Sequence, residues 1–293
     1  MKQQIILVTG ATAGIGRHAA LTLAKQGPRV FATGRRANAL ASLEREAEGL
    51  ALETLTLDVT SPESIEAARR AIDERTNGYG VDVLVNNAGY GAMGPVEEVS
   101  LEGMRAQYDT NVFGLIEVTK AFLPAMRARR AGKIINVSSM GGRITFPMMG
   151  VYNSTKYAVE SLSDALRVEL RPFGVSVVLI EPGAIKTEFA DVAFATIPDS
   201  SGSPYAAAMQ NADELRKKFE STYVGPEYVS RAISKAVSAA RPSARYVTPI
   251  SAMFAIALLK WLPTSWSDAI LGMAAGLTKK KLMLLPTPQP GAA

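Results

Sequence analysis

The sequence predicts an α/β fold: a doubly wound, mostly seven-stranded parallel sheet with helices on both faces. Three observations carry that prediction. Apolar strand-like runs at 5–8, 30–33, 52–57, 83–85, 134–137 and 175–180 alternate with longer segments of helical pattern, the order that a parallel sheet needs. Val83-Leu84-Val85 and Val177-Val178-Leu179-Ile180 are apolar without alternation, as strands covered on both faces require. The first run passes at once into Thr9-Gly10-Ala11-Thr12-Ala13-Gly14-Ile15-Gly16, which reads as strand, glycine-rich turn and helix start.

Each element has its own warrant. Glycines after the first strand let backbone approach a pyrophosphate, with the N–H groups and dipole of the following helix facing it. The second strand ends at Thr33-Gly34-Arg35-Arg36 and hands over to a helix expected at 37–48. Residues 101–129 predict two helices or one broken helix, with Asn111 near the middle and Pro124 near the end. After the strand at 134–137 come Ser138 and Ser139. From 152 to 170, Val159, Leu162, Leu166 and Leu170 recur at helical spacing, and Pro172 with Gly174 stops the helix. Arg245-Tyr246-Val247-Thr248 predicts an outer seventh strand.

Composition narrows the chemistry. The net charge of +5 is spread along the chain instead of clustering with aromatics, so nucleic acid is not an expected partner. Cysteine is absent and His18, read as a helix-surface residue, is the one histidine; no metal site is expected. The N-terminus runs from Met1-Lys2-Gln3-Gln4 straight into the first strand, which predicts a cytoplasmic location. With no window of 18 consecutive apolar residues, no transmembrane helix is expected, although surface attachment stays open.

The sharpest chemical feature is Tyr152 with Lys156 four residues on, an i, i+4 pair that shares one helix face. A tyrosine unaided has a pKa near 10, and a fixed neighbouring positive charge favours its phenolate, so Lys156 makes Tyr152 a general acid or base. Thirteen residues before it, Ser139 can hold a substrate oxygen beside the phenol. Joined to the glycine turn, this serine–tyrosine–lysine set resembles the short-chain dehydrogenase/reductase family over roughly residues 3–190, nearest in look to its steroid and retinol dehydrogenase branch.

That resemblance implies a Rossmann-like fold and assigns roles residue by residue. Gly10, Thr12, Gly14, Ile15 and Gly16 match the cofactor turn, Asp58 and Val59 the adenine-contacting pair, and Asn86, Ala88 and Gly89 the NNAG segment. Pro182, Gly183, Ile185 and Thr187 match the stretch that holds the nicotinamide carboxamide. Asn111 matches the helix asparagine whose carbonyl keeps a water against the lysine. In catalysis Tyr152 exchanges the proton, Ser139 binds the substrate oxygen, Lys156 anchors the ribose and lowers the phenol pKa, and Ser138 is structural. Gly34 stands where NAD-preferring dinucleotide folds carry an acid, and Arg35 and Arg36 follow. An acid would repel a 2′-phosphate that Arg35 can grip, so NADP(H) is the expected cofactor.

The expected reaction is hydride transfer between NADP(H) and an alcohol or carbonyl compound, with Phe146, Met148, Phe189 and Phe194 beside Ser139 and Tyr152 lining an apolar substrate site. The chain divides into a catalytic domain at 1–249, containing a substrate lid at 188–226, an apolar helical extension at 250–285 and a disordered tail at 286–293. The extension, broken at Pro263, must bury its apolar surface in core, partner or lipid: packing over the substrate mouth or against a second subunit is the first reading, and peripheral membrane contact through 250–281, helped by Lys279, Lys280 and Lys281, the second. A homodimer or homotetramer, paired through helices 101–129 and 152–170, is what the family resemblance implies.

Overall fold

Seven strands form one sheet: β1 (Ile5–Val8), β2 (Arg29–Gly34), β3 (Leu52–Thr56), β4 (Val83–Asn86), β5 (Gly132–Val137), β6 (Val175–Pro182) and β7 (Arg245–Thr248). Their order is β3-β2-β1-β4-β5-β6-β7, and every neighbouring pair is parallel. The computed structural model describes residues 3–197, 202–210 and 223–278. Parts of the expected lid at 198–201 and 211–222, together with Lys279, Lys280, Lys281 and the tail at 286–293, lie outside the described residues.

The strand pattern explains the two-sided core. Alternate residues of a strand face opposite ways, so Ile6 and Val8 pack with Ala19, Leu23, Val229 and Ile233 on one face, while Ile5 and Leu7 pack with Ile65, Ile72, Phe122 and Met126 on the other. Helices Gly14–Lys25 and Glu227–Ser238 therefore cover one side, and helices Pro62–Arg75 and Leu115–Arg129 the other. The helix at 62–75 starts where the sequence dictates: Ser61 caps it by accepting from the Ser64 N–H, and Pro62 occupies its first turn. Because β4 follows β3 but lies beside β1, a crevice opens between the carboxyl ends of β1 and β4.

One detail differs from the sequence reading, and two add to it. His18 is not a free surface residue: its Nδ1 lies 2.8 Å from the Ser230 hydroxyl, joining the first helix to helix Glu227–Ser238. The 101–129 segment is helical throughout, but Leu101–Tyr108 and Leu115–Arg129 are separated by a π-helical stretch, Asp109–Gly114, that contains Asn111. The extension is indeed two helices, Ile250–Trp261 and Thr264–Ala274, with Pro263 at the break. Yet only Ala252 and Ile256 of those helices are buried.

Candidate active site

The helix Gly150–Leu170 places Tyr152 in its first turn and Lys156 one turn later, both buried. Its start packs against the turn after β5. A Cβ on Gly141 would lie 2.3 Å from Asn153 Nδ2 and 3.5 Å from Tyr152 Cε1, so glycine alone lets this turn approach the tyrosine. Ser139 accepts a hydrogen bond from the Gly141 N–H at 3.0 Å and is also hydrogen-bonded to the Tyr152 hydroxyl. Lys156 Nζ donates to the Val137 carbonyl at 2.9 Å and lies 5.9 Å from the Tyr152 ring centroid.

This geometry corrects the expected proton balance. Burial pushes the Tyr152 phenol up to about 12, against the opposing hydrogen bond from Ser139. Burial likewise pushes Lys156 down to about 8, against the opposing charge of Glu160. Lys156 Nζ points one N–H at the strand carbonyl of Val137, and burial is the larger cause at the phenol. At neutral pH Tyr152 holds its proton and is a donor.

Asn111 is fixed by three bonds: its Oδ1 accepts from the Tyr90 N–H at 3.0 Å, and its Nδ2 donates to the Tyr90 carbonyl at 2.9 Å and the Thr155 hydroxyl at 3.1 Å. The π-helical turn thus stays docked on the catalytic helix beside Lys156: a Cβ on Gly89 would meet Asn111 Oδ1 at 3.0 Å and Lys156 Nζ at 3.7 Å. Such wide turns recur where a helix is locally opened for function.

The glycine turn and the segment after β4 form one cradle. Gly10 and Gly14 take φ of +65° and +50°, and a Cβ on Gly10 would sit 2.7 Å from Ala88 Cα. Gly14 faces Thr187 at 3.3 Å by the same measure, which brings the two ends of the expected cofactor site together. Gly16 is pinned against Asn87, whose Nδ2 donates to the Thr9 and Gly10 carbonyls at 2.9 and 3.1 Å. The Asn86 side chain is buried and donates to Thr119 and Asn136, both at 2.9 Å, within the sheet, which leaves only its backbone to face the crevice. Neighbours on a strand face opposite ways, and Asn87, with Thr9, is the side chain that shapes the turn. Ile15 and Ile185 are likewise packed against the core cluster.

At the adenine end, Asp58 accepts from the Thr60 N–H and hydroxyl at 2.9 and 2.7 Å. Burial works to raise its carboxyl, but those bonds and the Arg35 charge outweigh it and hold it below the usual value. Arg35 is 67% exposed and 3.9 Å from Asp58, and Arg36 reaches the Thr12 hydroxyl at 3.4 Å. A Cβ on Gly34 would meet Thr12 Cγ2 at 2.4 Å, so an acid there would displace Thr12. Val59 packs into the core, Pro182 ends β6 buried, and the Gly183 N–H donates to the Thr248 carbonyl at 2.8 Å.

The expected substrate lining partly assembles. Met148, Met93, Met209 and Ala193 are buried in one apolar cluster, with Phe189 and Phe194 packed against it. The Phe189 ring lies 5.3 Å from that of Tyr152, tilted by 59°, and so closes the cluster over the phenol. Phe146 is half-buried outside this cluster, its N–H held by Asn153 at 3.0 Å. Beside the cradle a cleft of about 480 Å³ touches Gly14, Arg17, Lys186 and Thr187 but does not reach Tyr152.

Sequence reasoning missed a buried charge cluster behind Lys156. Glu181, wholly enclosed, lies 3.0 Å from Arg143 and 3.0 Å from Arg245. Arg245 also reaches Glu160 at 3.2 Å and Asp164 at 2.7 Å. Lys156, Glu160 and Asp164 stand four residues apart on one helix face, which was the available signal. Burial raises the Glu160 carboxyl, and the Arg245 guanidinium works the other way.

The site thus brings together a buried phenol, a hydroxyl beside it, a buried lysine behind it and a glycine-lined crevice. A short chain dehydrogenase family model matches residues 4–197. The chain belongs to the short-chain dehydrogenase/reductase family. This short-chain dehydrogenase is 36% identical to the 3-ketodihydrosphingosine reductase of Bacteroides thetaiotaomicron, over 90% of this chain and 94% of that one. It is 34% identical to human 17-beta-hydroxysteroid dehydrogenase type 1, over 85% and 78%. Among solved structures, the closed form of serine dehydrogenase complexed with NADP+ superposes with a TM-score of 0.74 at 33% identity, covering 85% of this chain and 96% of that one. A short chain dehydrogenase/reductase from Burkholderia phymatum in complex with NAD gives 0.77 at 25%, covering 100% and 99%.

Proposed function

We propose that this short-chain dehydrogenase interconverts a bulky apolar alcohol and its ketone or aldehyde with NADP(H), with Tyr152 as the general acid and base. The observation that carries the reading is the buried Tyr152 phenol, one helical turn from buried Lys156 and packed against the turn that bears Ser139. In the reducing direction the cofactor supplies a hydride to the carbonyl carbon. Ser139 donates a hydrogen bond to the carbonyl oxygen and Tyr152 delivers its proton there, so the C=O becomes CH–OH. Lys156, held by Val137, orients the ribose side of the site, and the Asn111 turn keeps a solvent path open behind it.

Support for NADP(H) comes from Arg35 and Arg36 at the end of β2 and from Gly34, where there is no acid and where one would have to displace Thr12. Gly10, Thr12, Gly14, Asn87, Asp58 and Thr187 would hold the dinucleotide. An apolar substrate is supported by the methionines and phenylalanines packed beside Tyr152, since pockets follow such linings and methionine adapts to several shapes. The relative that reduces a ketosphingoid base fits the same class. Phe113, Leu162 and Val168, exposed on the two helices through which pairing is expected, support a homodimer or homotetramer.

The test is NADPH oxidation over ketones of growing chain length, with Tyr152→Phe as control. Each added CH₂ contributes about 0.8 kcal/mol on burial, so kcat/KM should rise roughly fourfold per carbon until the pocket fills. Tyr152→Phe should lower the chemical step by about 10²- to 10⁴-fold with NADPH binding intact. A flat series removes the apolar substrate; a Tyr152→Phe variant that keeps more than about a tenth of the wild-type rate removes the tyrosine.

A further inference from the structure

The helices Ile250–Trp261 and Thr264–Ala274 present a continuous row of large apolar side chains to solvent. Phe254, Leu258 and Trp261 recur at i, i+4 and i+7 on the first, 65%, 62% and 90% exposed. Trp266, Ile270 and Met273 repeat the same spacing on the second, and all three are exposed. The opposite face of the first helix is the buried one, with Ala252 and Ile256 inward. Ser267 donates to the Leu259 carbonyl at 3.1 Å and ties the two helices together.

We propose that this helix pair seats in the surface of a bilayer bearing anionic headgroups. Length excludes spanning: 12 and 11 residues are about 18 and 17 Å long, against roughly 30 Å of hydrocarbon. Among the described residues no helix is long and apolar enough to cross a membrane. Charge favours an anionic surface. The first helix has no acid and carries Lys260 at its end, the second has the single acid Asp268, and the sequence continues into Lys279-Lys280-Lys281 beyond the described residues. Tryptophans near the break between the helices suit the headgroup boundary, where an apolar ring meets a wet edge.

Both ends of the pair are anchored at the candidate pocket. A Cβ on Gly183 would lie 2.9 Å from the Ala252 Cβ and 3.7 Å from the Met140 sulfur, so the first helix begins against the turn that carries Ser139. At the far end Leu277 packs on the Met93–Met148 cluster beside Phe189. The bilayer-facing row therefore borders the mouth of the pocket, and, resting on the apolar-substrate reading above, a lipophilic ketone passes from membrane to Tyr152 without crossing bulk water.

The chain's two tryptophans are both on this row, so intrinsic emission reports it alone. The full chain is mixed with phosphatidylcholine vesicles with and without phosphatidylglycerol, and flotation and emission are recorded. On vesicles containing phosphatidylglycerol the protein should float, its emission should move to the blue, and brominated acyl chains should quench it. Lys260→Gln should weaken partitioning about fivefold. The variant Phe254→Ser/Leu258→Ser/Ile270→Ser should lose flotation at least tenfold while keeping its circular dichroism and its rate on a water-soluble ketone. Emission and flotation unchanged by either vesicle overturn the proposal. Emission already blue in buffer and moving red on dilution also overturns it, assigning the row to a second copy of the chain. Vesicle binding with no ketone reduced leaves the membrane site standing and removes the reductase reading.

Discussion

Tyr152 and Lys156 are displaced in opposite directions by one cause, since burial penalises the phenolate of one and the ammonium of the other. The phenol keeps its proton to about pH 12, so reduction has its acid over the whole accessible range, whereas the Lys156 ammonium is lost as pH rises through about 8. The alkaline limb of kcat/KM for reduction should therefore lie near 8 and belong to Lys156. Glu160 favours the ammonium, so Glu160→Gln should move that limb to lower pH; a limb that stays in place removes the assignment. Arg35 offers a second residue-scale test. A hydrogen bond to a charged group contributes about 1.5–3 kcal/mol, so Arg35→Ala should weaken NADPH by roughly 10- to 150-fold in titrations and leave NADH nearly unchanged. An equal loss for both cofactors would count against the 2′-phosphate contact. Tyr152, Lys156 and the glycines were legible because their chemistry lies in local spacing. The sign of the Tyr152 shift was not, because it depends on how deeply the rest of the fold covers the ring. Nor was the part that Asn87 plays in holding the glycine turn, which depends on Thr9 and Gly10, nearly 80 positions away.

At the scale of elements, the Glu181 cluster binds four pieces of chain that carry the site: the end of β6, the turn after β5 through Arg143, the catalytic helix through Glu160 and Asp164, and β7 through Arg245. Glu181→Ala takes from Arg143 its carboxylate partner and from Arg245 one of three, and breaking a buried pair costs about 3–5 kcal/mol. Urea unfolding should register that loss; a change below about 1 kcal/mol would show that water already serves these arginines. Proline and glycine made several boundaries readable, Pro263 between the two terminal helices and Pro172 with Gly174 after the catalytic one. The π-helical stretch at Asp109–Gly114 was not readable, because it is held by Tyr90 and Thr155, residues 21 and 44 positions away from Asn111.

For the whole molecule, the parallel sheet followed from the alternation of apolar runs with helices, and the two-sided core from strands without a polar face, whereas the strand order that opens the crevice between β1 and β4 is set by long-range pairing. β7 closes the sheet and is the last strand made. Arg245 emerges 64 residues after Glu181 (245 − 181), a wait of about 3 to 13 s at synthesis rates of roughly 5–20 residues per second. Throughout that interval β6 is an open edge, apolar from Val177 to Ile180, with its unpaired amides offered to any passing chain. Glu181 is the one charge in that strand, and until Arg245 arrives only Arg143 pairs with it, so stacking one unfinished chain on another would bury a carboxylate that lacks one of its two arginines. A chain ended at residue 240 should stay dispersed longer, by light scattering, than the same chain with Glu181→Val, and equal scattering would refute this. The carboxylate that locks the finished enzyme thus guards the unfinished one while it is still on the ribosome.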